Sequence, residues 1–322
     1  VDGANWGLWP LGGAWLTRHL WEHYLYTQDL DFLRAYYPIM KDASLFFFDH
    51  LIEGYEGYLV TNPAISFEQS YQLPNGKMER LCEGPTMDNQ IIRDLFSNCY
   101  QAATLLDDDP AYRDSLLLLS SRLRPTEINE ETGQLMEWAW PAEPARVSGQ
   151  LAPLWGVNPG SGIHPLETPE LAEAAKQTIL FRDKYIASYE TLGSWVSGTR
   201  ANFWARLQEG DQAYSILRNT LDSITWSNLL VSFYPKKFFM IDGNLGTAAA
   251  MTEMLLQSHR TDNSGDVIID LLPALPEAWK KGSIKGIRAR GGFEVDMEWE
   301  EGKLQSLVIR NEKGNKCTLS YR

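Results

Sequence analysis

Cysteine is scarce in this sequence, and its scarcity removes two architectures at once. The three thiols, Cys82, Cys99 and Cys317, fit no zinc-ligand spacing and supply no disulfide framework, so they leave the redox compartment open. No run of about 18 apolar residues occurs, which excludes a helix crossing a membrane. Basic residues are also short. Lys and Arg number 29 against 42 Asp and Glu, and the net charge of -13 argues against a nucleic-acid partner, whose phosphates demand a basic face. No secretory leader is visible, but a sequence opening Val1-Asp2-Gly3 without methionine says nothing about secretion, and localisation stays open. There is no G-x-S-x-G, no P-loop and no dinucleotide-binding glycine pattern. His19 and His23 have metal-ligand spacing, yet Glu22 does not complete H-E-x-x-H and no third ligand is in view. Core or surface histidines are the simpler reading, so no metal is expected.

What is plentiful is apolar and aromatic. With 322 residues, 44% of them hydrophobic, the chain can bury one large core, or a core plus an appendage. Aromatics reach 12%; flat rings stack on sugars, although core packing accounts for most such content. Helical spacing from Gly13 to about Glu53 is broken at TQDLD, where Asp29 or Asp31 can cap the second arm of a helical hairpin. Thr168-Pro169-Glu170 opens a further helix. Residues 201–207 and 213–221 predict another hairpin across Gln208-Glu209-Gly210-Asp211, and 87–106 and 245–259 predict two more amphipathic helices. Serial hairpins with short turns predict a mainly α, (α/α)-type helical toroid.

Beyond Asp262-Asn263-Ser264-Gly265 the pattern changes: FEVDMEWEEGKLQSLVIRNEKGNKCTLSYR alternates apolar and polar residues around Glu-Gly and Lys-Gly turns. That predicts a small antiparallel β domain. The expected division is 1–264 helical and 265–322 β-rich. The stretch 125–167, irregular and rich in Trp and Pro, is either a functional loop or a rigid surface connection.

Three carboxylates attract chemical interest. In KKFFMIDGNLGTAAAMTEMLLQSH, Asp242 stands between an apolar run and a Gly-Asn-Leu-Gly turn ahead of an Ala-rich helix. A carboxylate buried there is costly and is expected to have a task. Glu68, in TNPAISFEQSYQLPNGK, lies on a loop beside Phe67; it is either a general acid or a solvated loop glutamate. Glu83, in LCEGPTMDNQ, is a third candidate, whereas Asp88 reads as a capping or helix-dipole carboxylate.

The segments DGANWGLWPLGGAWLTRHLWEHYLYTQDLDFL, YPIMKDASLFFFDHLI, YLVTNPAISFEQSYQLPNGK, EGPTMDNQIIRDLF and MIDGNLGTAAAMTEMLLQSH, in this order, resemble glycoside hydrolase family 95 over nearly the whole chain. The resemblance implies an (α/α)₆ barrel and an inverting α-L-fucosidase, or an α-L-galactosidase of the same family, acting on glycans without a cofactor. The family's acid lies in a Ser-Pro-Glu-Asn-like loop, which assigns that role to Glu68 in Ser66-Phe67-Glu68-Gln69. Its Gln-Ile-Asp-Gly-Asn-Phe-Gly motif corresponds to residues 240–246, so Asp242 inherits the task of polarising an asparagine pair that activates water. Trp6, Trp9, Glu83, Gln150, Trp155 and Asn244 are the candidates for substrate-contacting residues. The two carboxylates are expected to face one sugar-sized hollow from opposite sides.

Departures from the family pattern bear on function. The His-His-Asn-Thr-Asp motif supplying the asparagine pair belongs upstream of DGA, which implies that this sequence is the carboxy-terminal part of a longer polypeptide lacking the first helices. A family His-Arg-His-x-Ser-His-Leu segment reads Ser148-Gly149-Gln150-Leu151-Ala152-Pro153-Leu154 here, Phe67 replaces a proline, and Ser194-Trp195-Val196-Ser197 replaces Gly-Trp-Ser. These changes leave open a different sugar, or a glycan-binding or inactive fragment.

Overall fold

The computed structural model describes Gly3 and residues 7–140, 150–184, 193–233 and 237–321. The chain is mainly helical and ends in a small, mostly antiparallel β domain. It divides into two compact units, residues 1–24 with 29–185, and residues 25–28 with 186–322.

In the first unit, α1 (Gly12–Thr27) and α2 (Leu30–His50) follow one another across Gln28-Asp29, and Asp29 is the cap: its carboxylate accepts from the backbone N–H groups of Asp31 and Phe32. The buried side chains of α2, Leu33, Tyr37, Met40, Ser44 and Phe47, recur at intervals of three and four and form one stripe. Facing elements include α3 (Thr86–Leu105), whose buried apolar residues Ile91, Ile92, Leu95, Phe96, Cys99, Ala102 and Ala103 share one broad face. A further helix, α4 (Pro110–Arg122), was not predicted, although its Asp109 cap and first-turn proline are ordinary start signals. Tyr37 and Lys41 both reach Asp108 at 2.6 Å and fasten α2 to the α3–α4 turn.

Between α2 and α3 the chain makes three antiparallel two-residue ladders: β1 (Ile52–Glu53) with β2 (Leu59–Val60), β3 (Ala64–Ile65) with β6 (Leu81–Cys82), and β4 (Tyr71–Gln72) with β5 (Met78–Glu79). The long loop after α4 is held by Gln90, which is buried on α3. Its amide donates to Pro153 O at 2.8 Å and accepts from Gly156 N at 2.9 Å. Helix α5 (Pro169–Asp183) then closes the unit, with Pro169 in its first turn.

In the second unit, α6 (Ser194–Arg206) and α7 (Gly210–Asn219) make the second hairpin. Helix α8 begins at Ile241 and ends at Leu255. The residues Gly243-Asn244-Leu245-Gly246 are therefore helical, which corrects the expected turn. Their glycines serve close packing. A Cβ built on Gly246 would lie 3.1 Å from Gly198 Cα, and one on Gly243 would lie 2.4 Å from Ser194 Cβ. Asn202 of α6 donates to the Gly246 and Gly198 carbonyls, both at 2.8 Å, and locks the crossing.

The helix expected over 245–259 also ends early, because β7 (Leu256–Thr261) follows at once and pairs with β8 (Val267–Leu271). Residues 262–265, where the domain division was expected, form the turn of that hairpin. Next, β9 (Lys281–Ala289), β10 (Phe293–Glu300) and β11 (Lys303–Asn311) form an antiparallel sheet. Glu301 and Gly302 both have positive φ, 51° and 73°, as a two-residue turn matching the strand twist requires. Last, β12 (Cys317–Tyr321) pairs with β8 in parallel, a departure from the antiparallel order of this domain made possible because β9–β11 intervene. Alternating side chains of β10, Phe293, Val295, Met297 and Trp299, enter the core of this domain.

Candidate active site

Glu68 occupies the third position of a four-residue turn closed by Gln69 N–H to Ser66 O at 3.1 Å. Its φ is +56°, in the left-handed region where glycine is preferred. A side chain there costs about 1–2 kcal/mol, at Glu68 as at the turn residue Glu301. Buried neighbours hold the Glu68 turn. Ser66 and Gln69 are 2% and 1% exposed, and only Phe67 turns outward. The half-buried Glu68 carboxylate accepts a hydrogen bond from Gln150 Nε2 at 2.9 Å. Two residues proposed separately, 82 positions apart, therefore meet.

Behind this pair lies a buried ionic network that the sequence reading missed. Ser66 Oγ donates to Glu137 Oε1. Arg182 Nη2 donates to Glu137 Oε2 at 2.6 Å, and Arg182 Nη1 donates to the Gln150 carbonyl at 2.9 Å. Glu137 and Arg182 are 4% and 2% exposed. A signal existed for one of them: Arg182 continues the stripe of buried positions Ala172, Ala175 and Ile179 on α5, where an apolar residue is the norm.

The other candidates have different surroundings. Glu83 binds protein rather than open space, accepting from Tyr55 N–H and from Asn62 Nδ2, the latter at 3.1 Å. Trp9 donates from Nε1 to Asp88 Oδ1 at 3.1 Å, and its ring meets Trp15 edge-on at 5.9 Å. Trp15 in turn meets the buried Trp155 at 6.1 Å. Asp88 is not a cap: its helix has no side-chain capping bond, and its other oxygen accepts from Thr61 Oγ1 at 2.8 Å. Burial pushes this carboxyl up to about 7, against the pull of the Thr61 and Trp9 donors. Trp6 lies outside the described residues.

Asp242 falls in the second unit. It is exposed in the first turn of α8, which corrects the expected burial. The physical reason is its position: the second residue of a helix whose packed face is set by Gly243, Thr247 and Ala250 points away from that face. A carboxylate there suits the helix dipole. Asn244 is a tether, accepting from Val231 N–H at 2.9 Å and donating to Leu229 O at 2.8 Å. Among the described residues no group of three or more His, Cys, Asp or Glu is placed to hold a metal ion. His19 Nδ1 lies 3.1 Å from Leu16 O, and the His23 ring meets Phe32 at a tilt of 34°, with centroids 3.9 Å apart. Among the same residues no helix is long and apolar enough to cross a membrane.

The family model for the glycosyl hydrolase family 95 catalytic domain matches residues 1–255, and that for the glycoside hydrolase family 95 C-terminal domain matches residues 257–322. Alpha-L-fucosidase 2 of Arabidopsis thaliana is 35% identical over 334 residues, covering 99% of this chain and 38% of that protein. Probable alpha-fucosidase A of Aspergillus niger is 31% identical over 314 residues, covering 93% of this chain and 39% of that one. The chain thus spans about two fifths of the length of these curated relatives. Among solved structures, a GH78 family rhamnosidase of Bacillus sp. GL1 aligns with TM-score 0.51 and 12% identity, covering 97% of this chain and 34% of that one, which is a likeness of fold alone.

Proposed function

The chain belongs to glycosyl hydrolase family 95, and from that premise we propose that it forms the carboxy-terminal part of an inverting exo-glycosidase removing terminal α-linked L-fucose from glycans. Glu68 is the general acid. Asp242 polarises asparagine amides that hold the attacking water, and these amides come from residues of the same polypeptide outside this sequence. Inversion requires an acid on the leaving-group side and an activated water on the opposite face of the sugar ring. An amide oxygen is a weak base by itself; hydrogen-bonded to a carboxylate, the amide is polarised and the water is held in line.

The observation that supports the reading is the setting of Glu68: its half-buried carboxylate meets the Gln150 amide, and the turn that presents it is backed by the buried Ser66, Glu137 and Arg182. The named relatives, each called an α-fucosidase, support the choice of sugar. The test is fucose release from an α1,2-linked substrate by the natural full-length polypeptide. Glu68→Gln and Asp242→Asn are each expected to lower kcat about 10²–10⁴-fold. Near wild-type turnover in either variant removes that residue from its role.

Gln150 favours a second reading within the same family. It places an amide against the acid where the family pattern has a histidine segment, so the sugar-facing donors differ and L-galactosides become competing substrates. A panel of nitrophenyl glycosides separates the two. Glycan binding with no turnover across the panel would instead mark a non-catalytic protein.

A further inference from the structure

We propose that Glu137 and Arg182 are positioning residues that fix the Glu68 turn from both sides, a role that rests on Glu68 being the acid. Arg182 is the hub. Through Glu137 it reaches Ser66, the first residue of the turn; through the carbonyl of Gln150 it sets the residue whose side chain bonds the Glu68 carboxylate. One guanidinium on α5 thus controls both the backbone that presents the acid and the donor that meets it.

The hub is itself anchored. Thr86, at the start of α3, donates from its backbone to Glu137 O at 3.0 Å and from its hydroxyl to Met136 O at 2.6 Å. Leu135 N–H donates to Thr178 Oγ1 of α5 at 2.9 Å. The Glu137 segment is therefore fastened to both helices and offers the turn a fixed support. The family's proline before the acid would restrict the turn through its own ring. With Phe67 in that place, the restriction falls to the Ser66–Glu137 bond and the Gln150 contact. A buried ion pair serving only to join α5 to the 135–139 segment would need neither Ser66 nor Gln150.

The test uses the natural full-length polypeptide with Ser66→Ala, Glu137→Gln, Arg182→Met, Arg182→Lys and, as control, Glu68→Gln. Ser66→Ala is the mild variant, because it severs the link to the turn and leaves the ion pair whole. Expected is a fall in kcat of about 10–100-fold for Ser66→Ala and Glu137→Gln with KM within about threefold, as for a misplaced catalytic group, and partial recovery in Arg182→Lys relative to Arg182→Met. Amide exchange of the 64–72 segment is expected to rise about tenfold in Ser66→Ala and Glu137→Gln and to stay unchanged in Glu68→Gln. Unchanged kcat and unchanged exchange in Ser66→Ala and Glu137→Gln would overturn the positioning role. If exchange rises but Glu68→Gln retains full turnover, the clamp on the turn stands and the assignment of Glu68 as acid falls.

Discussion

The turn carrying Glu68 is held by side chains remote in sequence, whereas the helix start carrying Asp242 is held by its neighbours and one crossing helix. Glu137, Gln150 and Arg182 come from three separate segments to hold Ser66 and the Glu68 carboxylate of one turn. Around Asp242, Gly243 and Gly246 pack on α6, Asn244 ties the 229–231 segment, and the carboxylate itself stays exposed. A position fixed by distant partners is vulnerable to substitutions far from the chemistry. One fixed by local helix geometry is robust, because the contacts that hold it do not pass through the carboxylate.

The largest effect should come from breaking the remote side. Arg182→Met leaves the Glu137 carboxylate buried without its cation and is expected to cost about 3–5 kcal/mol in chemical denaturation. A loss under 1 kcal/mol would mean that the network is not load-sharing in this way. Next comes Asp88, the second buried carboxylate of the first unit. Burial raises it to about 7 from an ordinary 3.8, so the folded state keeps a proton that the unfolded chain releases. The stability from this protonated form is complete below 3.8 and is lost as pH rises through about 7. Relative to Asp88→Asn, the wild type should therefore lose on the order of 2 kcal/mol between pH 5 and pH 8. Parallel stability curves for the two proteins would refute the assignment. Third, Asn244→Ala strands Val231 N–H and Leu229 O and should cost about 1–2 kcal/mol. A smaller loss would show that the local side is even more tolerant than its geometry indicates.

The same contrast explains what could be read without coordinates. Local signals were legible: the Asp29 cap, the first-turn Pro169 and the Glu301-Gly302 turn each act within a few residues. Alternation in β10 sorted its buried face correctly. Glycines at 243 and 246 were misread because a turn and a close helix crossing make the same demand, the absence of a Cβ. Asp242 was expected to be buried because an apolar run precedes it, but its exposure depends on which face of α8 meets α6. The Glu137–Arg182 pair was invisible for a different reason. Each residue type is common, and a separation of 45 positions leaves nothing in the sequence to match one charge with the other. Glu68 and Gln150 were named, but as independent candidates, since only the fold brings them to 2.9 Å.

The smallest expected effect on stability makes the sharpest test of the comparison. Asp242→Asn removes a charge from an exposed first turn, where its helix-dipole contribution is about 0.3–1 kcal/mol. It disturbs neither the glycine crossing with α6 nor the Asn244 tether. Folding should therefore be almost unaffected while turnover collapses, because an asparagine cannot polarise a neighbouring amide as a carboxylate does. Thermal denaturation and fucose release, measured on the same preparation, separate the two contributions. A large loss of stability would place Asp242 among the structural carboxylates, with Glu83 and Asp88. Intact turnover with intact stability would leave the conspicuous Met-Ile-Asp-Gly-Asn segment as a helix start and nothing more.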